Sequence, residues 1–275
     1  MKLRLTLFFL ILLLYNTIQH AKAAEEISFR NHQIPGCNTV SSFAQDDEGL
    51  IWIGTLDNGL YCYNGYNSFP RAHMSSSSPH SVFDLSIVGD SIYMACDKGI
   101  AIFNRRTLVY HYPIQPHITN ARTIVKHDNR LYFGADQGLY CYTPNSGKVE
   151  MINNKITDIY SIVSTHKGLL VGTLYGLYFV NGKSFHEIPV AGQRKSYISA
   201  IISDRNVKDK YWIWAFGRFF AYNASNNEFS EELLLRNISI KTLAQDKKGR
   251  LYIGTDNGLY IKSDANILHL YHDSK

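Results

Sequence analysis

The chain has 275 residues, 45% of them hydrophobic and 13% aromatic, which is enough for one large core; 28 Lys and Arg against 23 Asp and Glu give a formal net charge of +5. Part of that excess is local, because Lys2, Arg4 and Lys22 flank an apolar run from Leu5 to Tyr15, and without them the charge falls to +2. No Lys/Arg run or basic stripe remains, so nucleic acid is excluded as an expected partner.

Residues 1–23 read as a signal peptide: a basic start, an apolar run and Ala21-Lys22-Ala23 as the small-residue exit. The apolar run is about half of the roughly twenty residues that a membrane-spanning helix needs. The expected mature chain is residues 24–275, a single domain with no linker or composition break. It opens on a short extended stretch, Ile27–Asn31.

From Val40 onward the chain repeats itself. Val40–Gln45 alternates apolar and polar residues, a turn follows at Asp46 to Gly49, and then comes the run Leu50-Ile51-Trp52-Ile53-Gly54-Thr55, with Asn58-Gly59 before a second run through Tyr61-Cys62-Tyr63. Asn-Gly favours the two left-handed positions of a tight hairpin, and Asp followed by Gly across four residues is turn chemistry. The same order returns at Ile240–Gln245, Asp246 to Gly249 and Leu251-Tyr252-Ile253-Gly254-Thr255, with degenerate copies between. Residues that open the second hairpin strand, Gly59, Gly99, Gly138, Gly176, Arg218 and Gly258, are spaced by 40, 39, 38, 42 and 40. A more polar fourth stretch closes each unit, as at Ser184 to Ile188. Four antiparallel strands at this period predict a propeller blade. The run Leu50 to Ile53 is apolar at every position, so both faces of the sheet must be covered, as they are between two neighbouring blades.

The expected fold is therefore all-β: a β-propeller of about six four-stranded blades. Outer-strand candidates number seven, starting near Ile27, Ser68, Leu108, Lys148, Ser184, Glu228 and Ile267, against six sets of inner strands. That count predicts an incomplete seven-bladed ring with one open edge, available for self-association or for a protein partner. The alternative is a six-bladed ring in which Ile27–Asn31 is a spare strand.

Cys37, Cys62, Cys96 and Cys141 are even in number in an exported chain, which permits disulfides. Cys62 and Cys141 hold equivalent places two units apart and cannot meet; small buried hydrophobes are the expected role, with Cys62 and Cys96 as the pairing to test.

The pattern at Gln45 to Tyr61 and at Gln245 to Tyr260, Gln-Asp-x-x-Gly-x-Ile/Leu-Trp/Tyr-Ile-Gly-Thr with Asn-Gly-Leu-Tyr after it, resembles the two-component regulator propeller repeat. The resemblance covers essentially the whole mature chain and is weakest from Tyr197 to Phe229. It implies a periplasmic sensor segment of a hybrid histidine kinase, anchored in the inner membrane in full-length relatives and answering to an oligosaccharide ligand; no kinase, receiver or membrane span follows within these 275 residues. A propeller scaffold for protein–protein interaction is the alternative.

No catalytic constellation stands out: no paired carboxylates, no nucleophile motif, no His/Cys cluster at ligand spacing, hence no expected catalytic residue, metal or cofactor and no enzyme. Asp46, Asp128, Asp204 and Asp246 recur at related turns, where recurrence favours turn stabilisation. The repeat breaks its own rule in the fifth unit. Trp214 stands where other units have Gly54, Ala95, Gly134, Gly172 and Gly254, Arg218 stands in the glycine landmark, and Arg205 to Lys210 lengthens the first turn. An aromatic plate beside guanidinium groups suits sugar stacking and carboxylate or sulfate recognition, which makes Trp214, Arg218 and Arg205 the candidate ligand-binding residues, against a locally repacked blade.

Overall fold

The computed structural model describes residues 34–70, 78–235, 238–263 and 266–271. The signal peptide expected over 1–23 and the outer strand expected at Ile27 lie outside the described residues. The chain divides into two compact units, Met1–Pro35 and Gly36–Lys275, and the fold described below is that of the second.

Six four-stranded antiparallel sheets follow one another along the chain, each pairing its strands in sequence order. They form blades 1 to 6, covering 40–70, 82–111, 123–153, 159–188, 198–231 and 240–271. The first strands, Val40–Gln45, Val82–Val88, Thr123–His127, Ile159–Ser164, Ile198–Ser203 and Ile240–Gln245, pack each against the next and are the innermost. The fold is thus an all-β propeller of six four-stranded blades.

Packing between blades follows one rule. A small residue in the second strand leaves a slot, and an aliphatic residue from the first strand of the following blade fills it. A Cβ built on Gly54 would stand 2.9 Å from Val82; on Gly134, 2.2 Å from Ile159; on Gly172, 2.6 Å from Ile198. Five buried apolar clusters result, one for each pair of successive blades. The full burial of Leu169 to Thr173 shows why these second strands are apolar throughout.

Hydrogen bonds tie the innermost strands together as well. The Ser41 hydroxyl donates to the Val82 carbonyl, the Asp84 carboxylate accepts from the Ile124 N–H at 2.9 Å, and the Ser161 hydroxyl accepts from the Ile201 N–H at 3.1 Å. The pair Gly-Thr, present in blades 1, 4 and 6, divides its labour. Glycine makes the slot, and the threonine hydroxyl stitches the hairpin turn: Thr55 to the Gly59 carbonyl at 2.9 Å and Thr173 to the Gly176 carbonyl at 3.1 Å.

The recurring aspartates stabilise turns. Asp46 accepts from the N–H groups of Glu48 and Leu50, Asp204 from those of Asn206 and Val207, and Asp246 from those of Lys248 and Arg250. Asp128 differs, holding a two-residue turn with its own backbone at φ +52°. All four cysteines are free; Cys62, Cys96 and Cys141 are buried, and Cys62 and Cys96 share one apolar cluster.

Among the described residues the two ends of the series are not joined as the other blades are. The first strand of blade 6 and that of blade 1 make no contact of the kind that joins the other five pairs. Phe43 is 66% exposed, while its equivalents Leu85, Ile124, Ile162 and Ile201 are buried, and the atoms nearest a Cβ built on Gly254 are those of Thr242 in its own blade.

Candidate ligand-binding site

Blade 5 departs from the other blades in three connected ways. Its first turn, between Ser203 and Lys210, is the longest of the six. Its slot carries Trp214, which is 6% exposed and packs with Trp212, Phe219 and Leu235 against Ile240 and Ile253 of blade 6. The second strands of blades 1 to 4 approach the first strand of the next blade backbone to backbone; in blade 5 the approach is looser, and the Trp214 indole makes the contact with Ile240 instead.

On the other face of blade 5 a cleft of about 300 Å³ opens toward blade 4. Its apolar wall is Leu170, Phe179 and Ile188 from blade 4 with Tyr211 and Tyr222 from blade 5. Tyr211, Ile213 and Ala215 face this side because strand side chains alternate, and Trp212 and Trp214 face the other. The two tyrosine rings lie 6.3 Å apart, Tyr222 stacks on Phe229 at 4.4 Å, and its hydroxyl bonds Asn227 at 3.0 Å. Burial raises the pKa of both tyrosines, with the charge of Asp209 adding to the effect on Tyr211, so both phenols stay protonated.

The polar edge of the cleft is built by the long turn. Asp209, in the left-handed region at φ +59°, reaches across to His166 of blade 4, Nδ1 to carboxylate 2.9 Å, and accepts from the Ser225 hydroxyl at 3.3 Å. His186 packs against Phe179 at 5.5 Å, and Glu187 lies beside it on the lining. Aromatic and aliphatic walls with a few hydrogen-bonding groups at one edge are the usual make-up of a small-molecule site, at the lower end of the usual size. Among the described residues no group of three His, Cys, Asp or Glu side chains is placed to hold a metal ion.

The structure does not bring Trp214, Arg218 and Arg205 together. Trp214 is a wedge between blades 5 and 6. Arg218 lies on the opposite face, stacked near Phe216 and Phe220 at 5.3 and 5.1 Å, with both arms of its guanidinium on Glu231, so its carboxylate partner is within its own blade. Left-handed backbone falls on Phe216 and Gly217 instead, which makes Arg218 an ordinary strand residue. Arg205 is exposed in the long turn, its N–H donating to the Gln245 side chain of blade 6 at 2.6 Å. Sequence reasoning missed Phe179, Tyr211, Tyr222, His166 and Asp209. The available signal was the lengthened turn, whose last residue is the one that closes the cleft.

Comparisons with known proteins agree with this architecture. The family model described as two component regulator propeller matches residues 35–57 and 234–257, the stretches where the repeat is most regular. The extracellular domain of a putative one component system from B. thetaiotaomicron is 32% identical over 90% of this chain and 35% of its own, with a TM-score of 0.80. An extracellular domain of a putative hybrid two component system from the same organism is 32% identical over 90% of this chain and 34% of its own, with a TM-score of 0.78. A further such domain from that organism, at 20% identity and a TM-score of 0.73 over 90% of this chain and 37% of its own, shares the fold. The chain thus spans about a third of the length of these solved relatives, and among curated proteins none matches. Its repeats are those of the two-component regulator propeller family.

Proposed function

We propose that this propeller is an extracytoplasmic ligand-sensing segment of a two-component regulator, that its ligand is a carbohydrate, and that the ligand binds in the cleft between blades 4 and 5. The observation that carries the site is the combination of Phe179, Tyr211 and Tyr222 with the His166–Asp209 pair across one blade interface. Ring faces take the apolar C–H surface of a sugar, and the imidazole and carboxylate take its hydroxyls. Likeness to extracellular domains of two-component systems supports placing the chain outside the cytoplasm, and it supports binding without turnover as the role of the site. Among the described residues no helix is long and apolar enough to cross a membrane.

Calorimetric titration of a panel of neutral oligosaccharides against the wild type, Phe179→Ala and Asp209→Asn tests the reading. Asparagine tolerates left-handed backbone, so the second variant changes the carboxylate and spares the turn. Each variant is expected to weaken binding about tenfold, the worth of one aromatic contact or one charge-assisted hydrogen bond. A ligand bound equally well by all three proteins would move the site elsewhere, and no binding by any member of the panel would remove the carbohydrate reading.

A further inference from the structure

We propose that the inner ends of blades 3 to 5 carry a second binding site, for one neutral pyranose ring, with Tyr197 as its stacking face and Arg122, Asn120 and Asp136 as its polar edge.

Six blades repeat each structural position, so the chain can be compared with itself. On the innermost strands the slot-filling place holds Val40, Val82, Ala121, Ile159, Ile198 and Ile240, aliphatic throughout. Two places on, opposite the slot residue of its own blade, stand Ser42, Asp84, Thr123, Ser161, Ala200 and Thr242, short side chains throughout. Between them lie Ser41, Phe83, Arg122, Tyr160, Ser199 and Lys241. In blades 1, 2, 4, 5 and 6 this middle residue is the bulged one, without a partner in the register of the second strand. The scaffold makes no common demand on it, and its chemistry runs from serine to arginine and tyrosine. Bulges re-aim side chains beside functional sites, and positions that a rigid frame leaves free are those a binding surface can use.

In blades 3 to 5 these side chains meet. The Arg122 guanidinium lies 4.9 Å over the Tyr160 ring, and Tyr160 meets Tyr197, which leads into blade 5, at 5.3 Å and 82°. Asp136 accepts from Arg122 and, at 2.7 Å, from the Asn120 side chain. The backbone is held at both ends of this arc: the Arg122 N–H donates to the Gly134 carbonyl and the Phe216 N–H to the Tyr197 carbonyl, each at 2.9 Å. Tyr197 is still 39% exposed, so a ring already ordered by its neighbours presents surface to a ligand and has little further freedom to lose.

Charge selects the class of ligand. Arg122 has its counter-charge in Asp136, so the arc does not call for an anion, whereas guanidinium, amide and carboxylate together can donate to and accept from hydroxyl groups. A pyranose has such hydroxyls and an apolar C–H face for the tyrosine.

Calorimetric titration of the full chain with cellotriose, xylotriose and mannotriose tests the site, using wild type, Tyr197→Ala, Tyr197→Phe and Phe179→Ala. At least one probe is expected to show binding that Tyr197→Ala weakens about tenfold and that Tyr197→Phe, which keeps the ring face, holds within about twofold. Phe179→Ala, in the cleft between blades 4 and 5, leaves that binding unchanged. The site does not rest on the cleft: binding lost in Phe179→Ala alone belongs to the cleft and overturns the second site while sparing the first. If Tyr197→Ala loses its strand circular dichroism, Arg122→Gln replaces it with the same expectation. No binding of any probe, or equal affinity in wild type and the folded variant, overturns the proposal.

Discussion

Asp84 occupies the β-bulge of the innermost strand of blade 2, and its carboxylate bridges to blade 3 through the Ile124 N–H at 2.9 Å and holds the Leu85 N–H at 2.8 Å. Burial dominates over these bonds and pushes its pKa up to about 6 from an ordinary 3.8. Because the folded state holds this proton more tightly than the unfolded chain, the group's contribution to stability is complete below about pH 4 and is lost as pH rises through about 6. Asp46, Asp204 and Asp246 are shifted down and act in the opposite sense, their contribution present above about pH 4 and lost on acidification. Comparing denaturation midpoints of wild type and Asp84→Asn between pH 4 and 7 isolates the first group. The wild type is expected to lose stability relative to the variant as pH rises across 4 to 6, and parallel curves would show that Asp84 is solvated like an ordinary carboxylate.

At the scale of the element, blades 1, 4 and 6 depend on a turn that one threonine hydroxyl stitches together. The Thr173 hydroxyl donates to the Gly176 carbonyl and accepts from the N–H groups of Tyr175 and Gly176 at 2.9 Å each. Thr173→Val keeps the shape and takes the acceptor from the buried Gly176 N–H, while the Gly176 carbonyl keeps the Thr173 N–H; the expected loss is about 1–3 kcal/mol in chemical denaturation. The same substitution at the more exposed Thr255 turn is expected to cost less, since water can reach the orphaned groups there. These turns, the blade strands and the slot glycines were all legible in the sequence, because their chemistry is local and recurs along the chain. The cleft was not, because Phe179, His166 and Asp209 meet across two blades and no spacing in the chain records that. Trp214 and Arg218 misled for a different reason: the irregular column was visible, but the alternation that sends the two side chains to opposite faces of blade 5 was not applied to them.

At the scale of the whole molecule, the unanswered ends matter most. Val40 and Phe43 on blade 1 are the residues that should fill a neighbour's slot, and among the described residues no aliphatic side chain of another blade stands among the three atoms nearest the slot at Gly254. We propose that this opening accepts a further blade of the same repeat type, with an aliphatic residue for Gly254 and a glycine for Phe43, in keeping with the count of outer strands. A large exposed aromatic on an otherwise interface-forming sheet also drives self-association. Phe43→Asp is expected to shift the sedimentation profile of this chain toward monomer, while a wild type that is monomeric at high concentration would show that the face is already satisfied.

The long turn from Asp204 to Asp209 has a consequence of its own. Its first residues line a pocket of about 140 Å³ between blades 5 and 6, and its last residue closes the cleft on the opposite side of the blade. A single segment of backbone is therefore a wall of two cavities, and any displacement of it that favours one occupant alters the free energy of the other. By thermodynamic linkage the effect is reciprocal: whatever factor an occupant of the pocket imposes on affinity in the cleft, the occupant of the cleft imposes on it. Such an arrangement reads two chemical features as one conjunction, so that a molecule or mixture presenting both is distinguished from either alone.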